Sequence, residues 1–279
     1  MTNQLDARIA HLADQFPALS GWCPMETFWI WATLLRTQID FKVPGHLMEI
    51  GVFRGKSAAI LAAFLAPDAG EKLALIDIKL QTDHILESLN KAGMDTKNAV
   101  NLAVNLIEAR SSLLALSDID LDRGSARWIH IDGEHTGPAV EADLELSHLA
   151  LSDDGIVVLD DFFAPEYPQV TWSALRYLER YKERFTPILV GYRKLYLCRP
   201  KSARWYKQAI VARLVRALEN GGFLTTLCKT TTSEDLDCFG IAPRYLDEIF
   251  RGTEDDYNRL WLSKGYSPED IEKQRAPNQ

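Results

Sequence analysis

Apolar and polar positions alternate with two different periodicities in the middle of the chain. Residues 47–51 (LMEIG) form a short apolar run of the kind that forms a strand. The apolar residues that follow it, Ala58, Leu61, Ala62 and Leu65, recur at the i, i+3, i+4, i+7 spacing of a helix that buries one face. A strand followed by a helix, repeated along a chain, is typical of a parallel α/β sheet.

The same pattern predicts four more parallel strands. Their ranges are 72–78, a weaker run within 100–110, 127–132 and 155–160. A helix over 171–182 then leads into two extended runs, 186–190 and 194–198, which three residues connect. So short a connection predicts an antiparallel hairpin. We therefore expect an α/β fold with a seven-stranded, mostly parallel sheet that ends in an antiparallel last strand.

Two flanking segments differ from this core. Residues 1–44 have a helical pattern and an aromatic cluster (Trp22, Phe28, Trp29 and Trp31), which predicts an N-terminal helical cap. Residues 201–279 begin with an amphipathic helix, continue through Thr-rich extended sequence and predict a C-terminal helical extension packed on the core. The core itself, residues 45–200, is expected to be the ligand-binding domain.

Composition narrows the class of protein. The 279 residues include 47% hydrophobic residues, which is typical of a folded globular chain, and carry a net charge of −8. An acidic balance argues against nucleic acid or an anionic membrane as a partner. The four cysteines are far apart, and we find neither a signal peptide nor an apolar run that could span a bilayer. We expect a soluble cytoplasmic protein with reduced thiols.

Two glycines mark the turn from the first strand to the first core helix. The motif is Glu49-x-Gly51-x-x-x-Gly55-x-Ser57, and free N–H groups at such a helix start can receive a ligand. A P-loop needs four residues between its glycines, and this chain has three. The Rossmann glycine fingerprint also fails, because Phe53 stands where a glycine is needed. A tight turn without a ligand stays an alternative.

The motif resembles the E/DxGxxxG pattern of class I S-adenosylmethionine (SAM) methyltransferases. A second acid, Asp77, follows Gly55 at the end of the next strand, where α/β nucleotide folds place a carboxylate on the ribose hydroxyls. The resemblance implies that Glu49 lies beneath the methionine end of SAM and that the backbone from Gly51 to Ser57 receives it. Ser111 and Ser112, which follow the weak third strand, are expected to approach adenine.

Acidic residues follow the fourth and fifth strands. Asp132 and His135 come after the fourth strand, and Asp160 and Asp161 after the fifth. Because ligands bind beyond the carboxyl ends of parallel strands, these side chains are expected to converge. Three carboxylates in one small volume repel each other unless they hold a cation, and oxygen ligands suit Mg²⁺ or Mn²⁺ better than zinc. The unperturbed pKa of a histidine, about 6.5, suits a general base near neutral pH, so His135 is the candidate base.

The segment from residue 131 to residue 162 (IDGEHTG…VVLDDF) resembles the macrocin and mycinamicin type of metal-dependent sugar O-methyltransferases. The resemblance covers about residues 45–200 and implies a Rossmann-like class I methyltransferase fold. It implies that Asp132, Asp160 and Asp161 are metal ligands, that Asp132 also borders the cofactor, and that His135 is the general base. The family often has Glu-Asp where this chain has Asp160-Asp161.

These observations predict a SAM-dependent, divalent-metal-dependent O-methyltransferase. Its acceptor is expected to be a hydroxyl, one of a vicinal pair, on a sugar or glycosylated natural product, and the chain is expected to form a homo-oligomer. Two alternatives stay open. One is a magnesium-dependent enzyme that handles nucleotides or phosphates, with Asp160-Asp161 as its metal site. The other is a catalytically silent SAM-binding protein.

Overall fold

A nine-stranded sheet runs through the part of the chain that the computed structural model describes, which is residues 2–96, 103–229 and 238–243. The strands are β1 (His46–Ile50), β2 (Leu73–Asp77), β3 (Val104–Glu108), β4 (Ala126–Ile131), β5 (Leu151–Leu159), β6 (Thr186–Gly191), β7 (Lys194–Cys198), β8 (Thr225–Lys229) and β9 (Phe239–Pro243). Their order across the sheet is β3-β2-β1-β4-β5-β7-β6-β9-β8. Strands β1 to β5 are mutually parallel, and β7 is antiparallel to both β5 and β6.

Within the described ranges, seven α-helices lie on the two faces of this sheet. They are α1 (Thr2–Gln15), α2 (Met25–Asp40), α3 (Lys56–Phe64), α4 (Thr82–Lys91), α5 (Gly137–Ala150), α6 (Pro168–Arg180) and α7 (Pro200–Asn220). Among the described residues, no helix combines the length and the apolar character that crossing a bilayer requires.

The strand sequences divide the apolar core into two layers, because successive side chains point to opposite faces. Leu47, Leu75 and Trp128 belong to one cluster, with residues of α1 to α4 and α7. Met48 and Ile129 belong to the other, with residues of α5 and α6. All six residues of β4 are buried, as expected for the centre of a sheet covered on both sides.

The α/β class and the mostly parallel sheet are confirmed, and one part of the expected topology needs correction. Strands β6 and β7 form the predicted hairpin, joined by Tyr192 and Arg193 with φ of 50° and 61°. The antiparallel strand β7 lies between β5 and β6 rather than at the end. The described part of the C-terminal segment also contributes β8 and β9, because its Thr-rich sequence pairs as a hairpin and adds to β6. The sheet therefore has nine strands instead of seven.

The N-terminal helices and α7 pack against the core. Helix α2 contacts α7, and α1 contacts α3. The division of the chain into segments 1–44, 45–200 and 201–279 stays a prediction, and most of the acidic C-terminal stretch lies outside the described residues.

Candidate active site

A cleft of about 730 Å³ opens at the carboxyl ends of β1, β4 and β5. Parallel strands end at the same side of a sheet, so the loops after them surround one volume. Six residues that the sequence singled out line this cleft: Gly51, Asp77, Asp132, His135, Asp160 and Asp161.

The glycine loop after β1 lies directly against the loop after β4. Gly51 has a φ of +82°, and a Cβ added to it would lie 1.8 Å from the backbone oxygen of Asp132. The backbone N–H of Asp132 donates a hydrogen bond to the backbone carbonyl oxygen of Ile50 at 2.7 Å. Only glycine allows both the conformation and the close approach at this position.

Asp77 holds the glycine loop from the side of β2. Its Oδ2 accepts hydrogen bonds from the backbone N–H groups of Val52 and Phe53 at 2.8 and 2.9 Å. Its Oδ1 accepts from the N–H of Lys79 at 3.0 Å. The carboxylate is thus an acceptor for the loop backbone as well as a residue of the cleft wall.

Glu49 lies two residues before Gly51 and is fully buried. The hydroxyl of Ser57 donates to its Oε1 at 2.5 Å, and His130 Nδ1 lies 2.7 Å from the same oxygen. Its other oxygen, Oε2, has no hydrogen-bond partner among the described residues. A buried carboxylate oxygen is costly to leave unpaired, so this atom suits a ligand that brings a hydrogen-bond donor, such as the ammonium group of SAM.

His130 and Lys194 continue this buried polar chain to Asp160. His130 Nε2 lies 3.4 Å from Asp160 Oδ2, and the Lys194 ammonium donates to the same oxygen. Burial alone would lower the pKa of His130, but the carboxylates of Asp160 and Glu49 raise it to about 9. Burial alone would raise the pKa of Asp160, but Lys194 and His130 hold it well below its usual range.

His135 lies between two carboxylates on the open side of the cleft. Its Nε2 is 2.8 Å from Asp161 Oδ2 and 3.6 Å from Asp132 Oδ1. Asp132 first, and Asp161 after it, raise the pKa of His135 above its usual value. The imidazole ring also stacks on Tyr167, with ring centroids 3.9 Å apart and an interplanar angle of 12°. These contacts fix both the position and the plane of the ring.

The acidic residues fit a divalent cation in part. Asp132, His135 and Asp161 each offer one ligand atom within 4.8 Å of the others, and so do His130, Asp132 and Asp160. In the described part of the chain, the three carboxylates do not form one such group by themselves. Asp132 is shared by both groups. Asp161 faces the open cleft, whereas Asp160 is already paired with a buried cation, so the two neighbouring acids differ in what they can bind.

The cleft residues that the sequence did not identify include Tyr167, Arg193 and Lys194. Arg193 donates to Asp161 Oδ1 at 2.8 Å and to Glu166 Oε2 at 2.9 Å. Lys194 is the first residue of β7, where Leu195 pairs with Leu159 of β5, so Lys194 lies opposite Asp160. The predicted hairpin could have identified Arg193 and Lys194, because the pairing of β7 with β5 places the turn between β6 and β7 at the cleft.

Five residues assigned to the cofactor do not line the cleft: Glu49, Gly55, Ser57, Ser111 and Ser112. Ser57 acts through Glu49, as described above. A Cβ added at Gly55 (φ +78°) would lie 3.1 Å from Ile85 Cα, so this glycine allows α3 and α4 to pack closely. Ser111 and Ser112 lie in a short 3₁₀ helix that packs against α5. Their contact with SAM stays a prediction.

The aromatic cluster of residues 22–31 separates into two environments. Phe28 and Trp31 are buried in the core. Trp22 instead is 84% exposed and stacks on Phe53 at the cleft, with centroids 4.8 Å apart and an interplanar angle of 2°. Of the four aromatic residues in the cluster, Trp22 is therefore the one that lines this cleft.

Comparison with known families gives one match. Residues 48–162 match a family model described as a methyltransferase domain, and this range contains the glycine loop, Asp77 and both acidic segments. Residues 48–162 therefore form a methyltransferase domain. The expected use of SAM as donor follows from this family. A comparison with curated proteins gives no match.

Solved structures share the fold of this methyltransferase domain. The O-methyltransferase NovP is 16% identical, with a TM-score of 0.52, and the match covers 71% of this chain and 98% of NovP. A protein from Corynebacterium glutamicum is 16% identical, with a TM-score of 0.50, and the match covers 69% and 89% of the two chains. CalS11, a TDP-rhamnose 3′-O-methyltransferase of calicheamicin biosynthesis, is 18% identical, with a TM-score of 0.47 and coverage of 69% and 93%. At these identities the likeness to NovP and to the Corynebacterium glutamicum protein establishes the fold alone.

Proposed function

We propose that this protein is a SAM-dependent, divalent-metal-dependent O-methyltransferase whose acceptor is a hydroxyl of a sugar or glycosylated natural product. The observation that supports it is the position of His135. Its Nε2 lies beside the carboxylates of Asp132 and Asp161 in the cleft that the glycine loop also lines. The sugar acceptor is supported by the resemblance of residues 131–162 to sugar O-methyltransferases. NovP, which has the same fold, is also an O-methyltransferase.

The donor end of the reaction rests on the glycine loop and the acid beneath it. SAM supplies the methyl group when it is bound. The unpaired Oε2 of Glu49 would accept a hydrogen bond from the ammonium group of its methionine part. Asp77, which lines the cleft at the end of β2, is the proposed partner of the ribose hydroxyls. Ser111 and Ser112 are the proposed contacts of adenine.

The acidic residues are the proposed site of Mg²⁺ or Mn²⁺. Asp132 and Asp161 face the open cleft beside His135, and Asp160 lies next to Asp161. A divalent ion held there would lower the pKa of the acceptor hydroxyl, as it does for water. A vicinal second hydroxyl would give the acceptor two oxygens to fix its orientation.

His135 is the proposed general base. Its Nε2 would take the proton of the acceptor hydroxyl, and the oxygen would then bond in line to the methyl carbon as the methyl–sulfur bond breaks and S-adenosylhomocysteine leaves. Asp132, Asp161 and Tyr167 hold the ring in place, so little reorganisation is needed when the proton moves. A positioned base of this kind contributes a factor of about 10²–10⁴ to the rate.

A methyl-transfer assay with labelled SAM and a panel of sugars, glycosides and catechols tests this function. We expect His135→Gln to lower kcat by about 10²–10⁴ while SAM binding is retained. His84→Gln, an exposed histidine on α4, is the matched control and should keep full activity. EDTA should remove activity and Mg²⁺ should restore it. Full activity in EDTA would remove the metal from the proposal, and full activity of His135→Gln would remove the base.

Three properties expected from the sequence stay proposals: a homo-oligomeric assembly, a cytoplasmic location and the absence of a nucleic-acid partner. Light scattering at several protein concentrations would test the first of them.

A further inference from the structure

Lys194 places a permanent positive charge inside the cleft wall. Its side chain is 3% exposed, and its ammonium group pairs with Asp160 Oδ2. The backbone of β7 leaves it little freedom, since β7 is buried along its whole length between β5 and β6. Burying an ammonium group without a counter-ion is costly, so we expect Lys194 and Asp160 to stay paired in the folded protein.

Both oxygens of Asp160 are occupied by protein donors. Oδ2 meets the Lys194 ammonium and lies 3.4 Å from His130 Nε2. Oδ1 accepts a hydrogen bond from the backbone N–H of Asp161 at 2.8 Å. A divalent ion at Asp160 would have to share a carboxylate with a cation that is buried and cannot move away, and like charges at such a distance repel strongly.

Asp161 and Asp132 differ from Asp160 in this respect. Asp161 Oδ2 and Asp132 Oδ1 both face His135, and neither oxygen contacts a buried cation. The cation that does contact Asp161 is Arg193, at Oδ1, and its side chain is 47% exposed. An arginine at the surface can swing into solvent when a ligand arrives. The two negative charges of Asp132 and Asp161 also neutralise the two positive charges of one divalent ion.

We propose that Lys194 is the resident cation of Asp160 and that the divalent ion of the reaction is held by Asp132 and Asp161 without Asp160. This inference rests on the metal-dependent reaction proposed above and corrects the ligand set that the sequence suggests. Asp160 and Lys194 are then positioning residues. The Asp160 carboxylate holds the backbone N–H of Asp161, which has a φ of +54°, and thereby directs the Asp161 side chain into the cleft.

The double variant Asp160→Asn/Lys194→Met tests the inference. It replaces the ion pair by neutral side chains of similar size, and the asparagine oxygen can still accept from the Asp161 N–H. Mn²⁺ binding to the full chain is measured by electron paramagnetic resonance of the free ion, with SAM binding as the control for folding. We expect the double variant to bind Mn²⁺ as the unmodified protein does. Asp161→Asn should weaken binding by about tenfold or more.

The single variant Lys194→Met gives a second, opposite test. It frees a carboxylate beside the metal site, so Mn²⁺ binding should tighten by about tenfold, the scale of attraction expected from one added negative charge. Added Mg²⁺ should also raise the Tm of this variant more than that of the unmodified protein, because the ion replaces the missing ammonium group.

The outcomes separate this inference from the proposed function. If the double variant loses Mn²⁺ binding as Asp161→Asn does, Asp160 is a metal ligand and the inference is wrong. If the unmodified protein binds no Mn²⁺, metal dependence itself fails. The Lys194→Met variant tests the role of Lys194 separately. Tighter Mn²⁺ binding by this variant supports Lys194 as the resident cation of Asp160, and unchanged Mn²⁺ binding overturns that role.

Discussion

The Cα of Gly51 packs against the backbone carbonyl of Asp132, so that a Cβ there would lie 1.8 Å from the carbonyl oxygen. Gly51→Ala must therefore separate the loops after β1 and β4, and we expect it to abolish SAM binding and lower the Tm. Gly70→Ala is a matched control: Gly70 has a φ of +78°, close to the +82° of Gly51, but no atom lies within 4 Å of its added Cβ.

Gly70→Ala should cost only the strain of a left-handed residue, about 1–2 kcal/mol. Urea unfolding and SAM titration of the two variants make the comparison. Equal stability of the two variants would show that the contact between Gly51 and Asp132 does not matter.

Asp143 on α5 is almost fully buried, and burial raises the pKa of its carboxyl to about 6 from an unperturbed 3.8. The folded state thus binds the proton of Asp143 more tightly than the unfolded state does. The contribution of Asp143 to the free energy of unfolding therefore falls as the pH rises from the unfolded pKa to the folded pKa. Asp143→Asn keeps the shape and removes the titration. We expect the variant to be more stable at pH 7 by up to about 3 kcal/mol, and the gain to vanish near pH 4.

Urea unfolding of the unmodified protein and Asp143→Asn across pH 4–8 measures this difference. A gain in the free energy of unfolding that did not change with pH would contradict the prediction. The comparison uses the difference between two proteins, so titration of the other carboxylates cancels.

Trp22 stacks on Phe53 at the cleft while 84% of it stays exposed. We expect Trp22→Ala to raise the acceptor KM by about three- to tenfold, the range expected for loss of an aromatic contact, and to leave the Tm unchanged. Trp172 on α6 is 67% exposed and does not line the cleft, so Trp172→Ala serves as the control. Equal acceptor KM values for the two variants would remove Trp22 from the acceptor site.

Arg127 on β4 is buried and donates to both oxygens of Glu71 at 2.9 Å. Arg127→Met leaves that carboxylate without its partner, so we expect a loss of about 3–5 kcal/mol in the free energy of unfolding. Arg213 pairs with Asp40 near the surface, and Arg213→Met should cost less than about 1 kcal/mol. Chemical unfolding measures both. If Glu71→Gln added to Arg127→Met restores no stability, the loss has another cause.

The sequence predicts the fold best where all the residues that determine a local structure are close together in the chain. The turn from β1 to α3 is such a case, because Gly51 and Gly55 stand between a strand pattern and a helix pattern. The Thr-rich segment that contains β8 was predicted to be extended, but the pairing of β8 with β9 and of β9 with β6 was not predicted. Local pattern cannot show which distant strand such a segment will join.

The candidate site shows the same division. Asp132 and His135 share one loop, so their proximity follows from three residues of spacing. Lys194 follows a two-residue turn, where a lysine is ordinarily exposed, and only the insertion of β7 beside β5 buries it. The ring of His130, on β4, lies between Glu49 of β1 and Asp160 after β5. Contacts of this kind depend on three strands at once.

The short parallel contact between β6 and β9 has a consequence for how molecules of this chain behave towards each other. Leu189 and Val190 of β6 pair there with Phe239 and Gly240. Without the C-terminal hairpin, the peptide groups on that side of β6 would be open to a β-strand from another molecule, and such open strands promote aggregation. Strands β9 and β8 thus cover that side of β6 and leave β8 as the edge of the sheet, so shortening the chain before β8 should expose β6 and reduce solubility even though the cleft lies elsewhere.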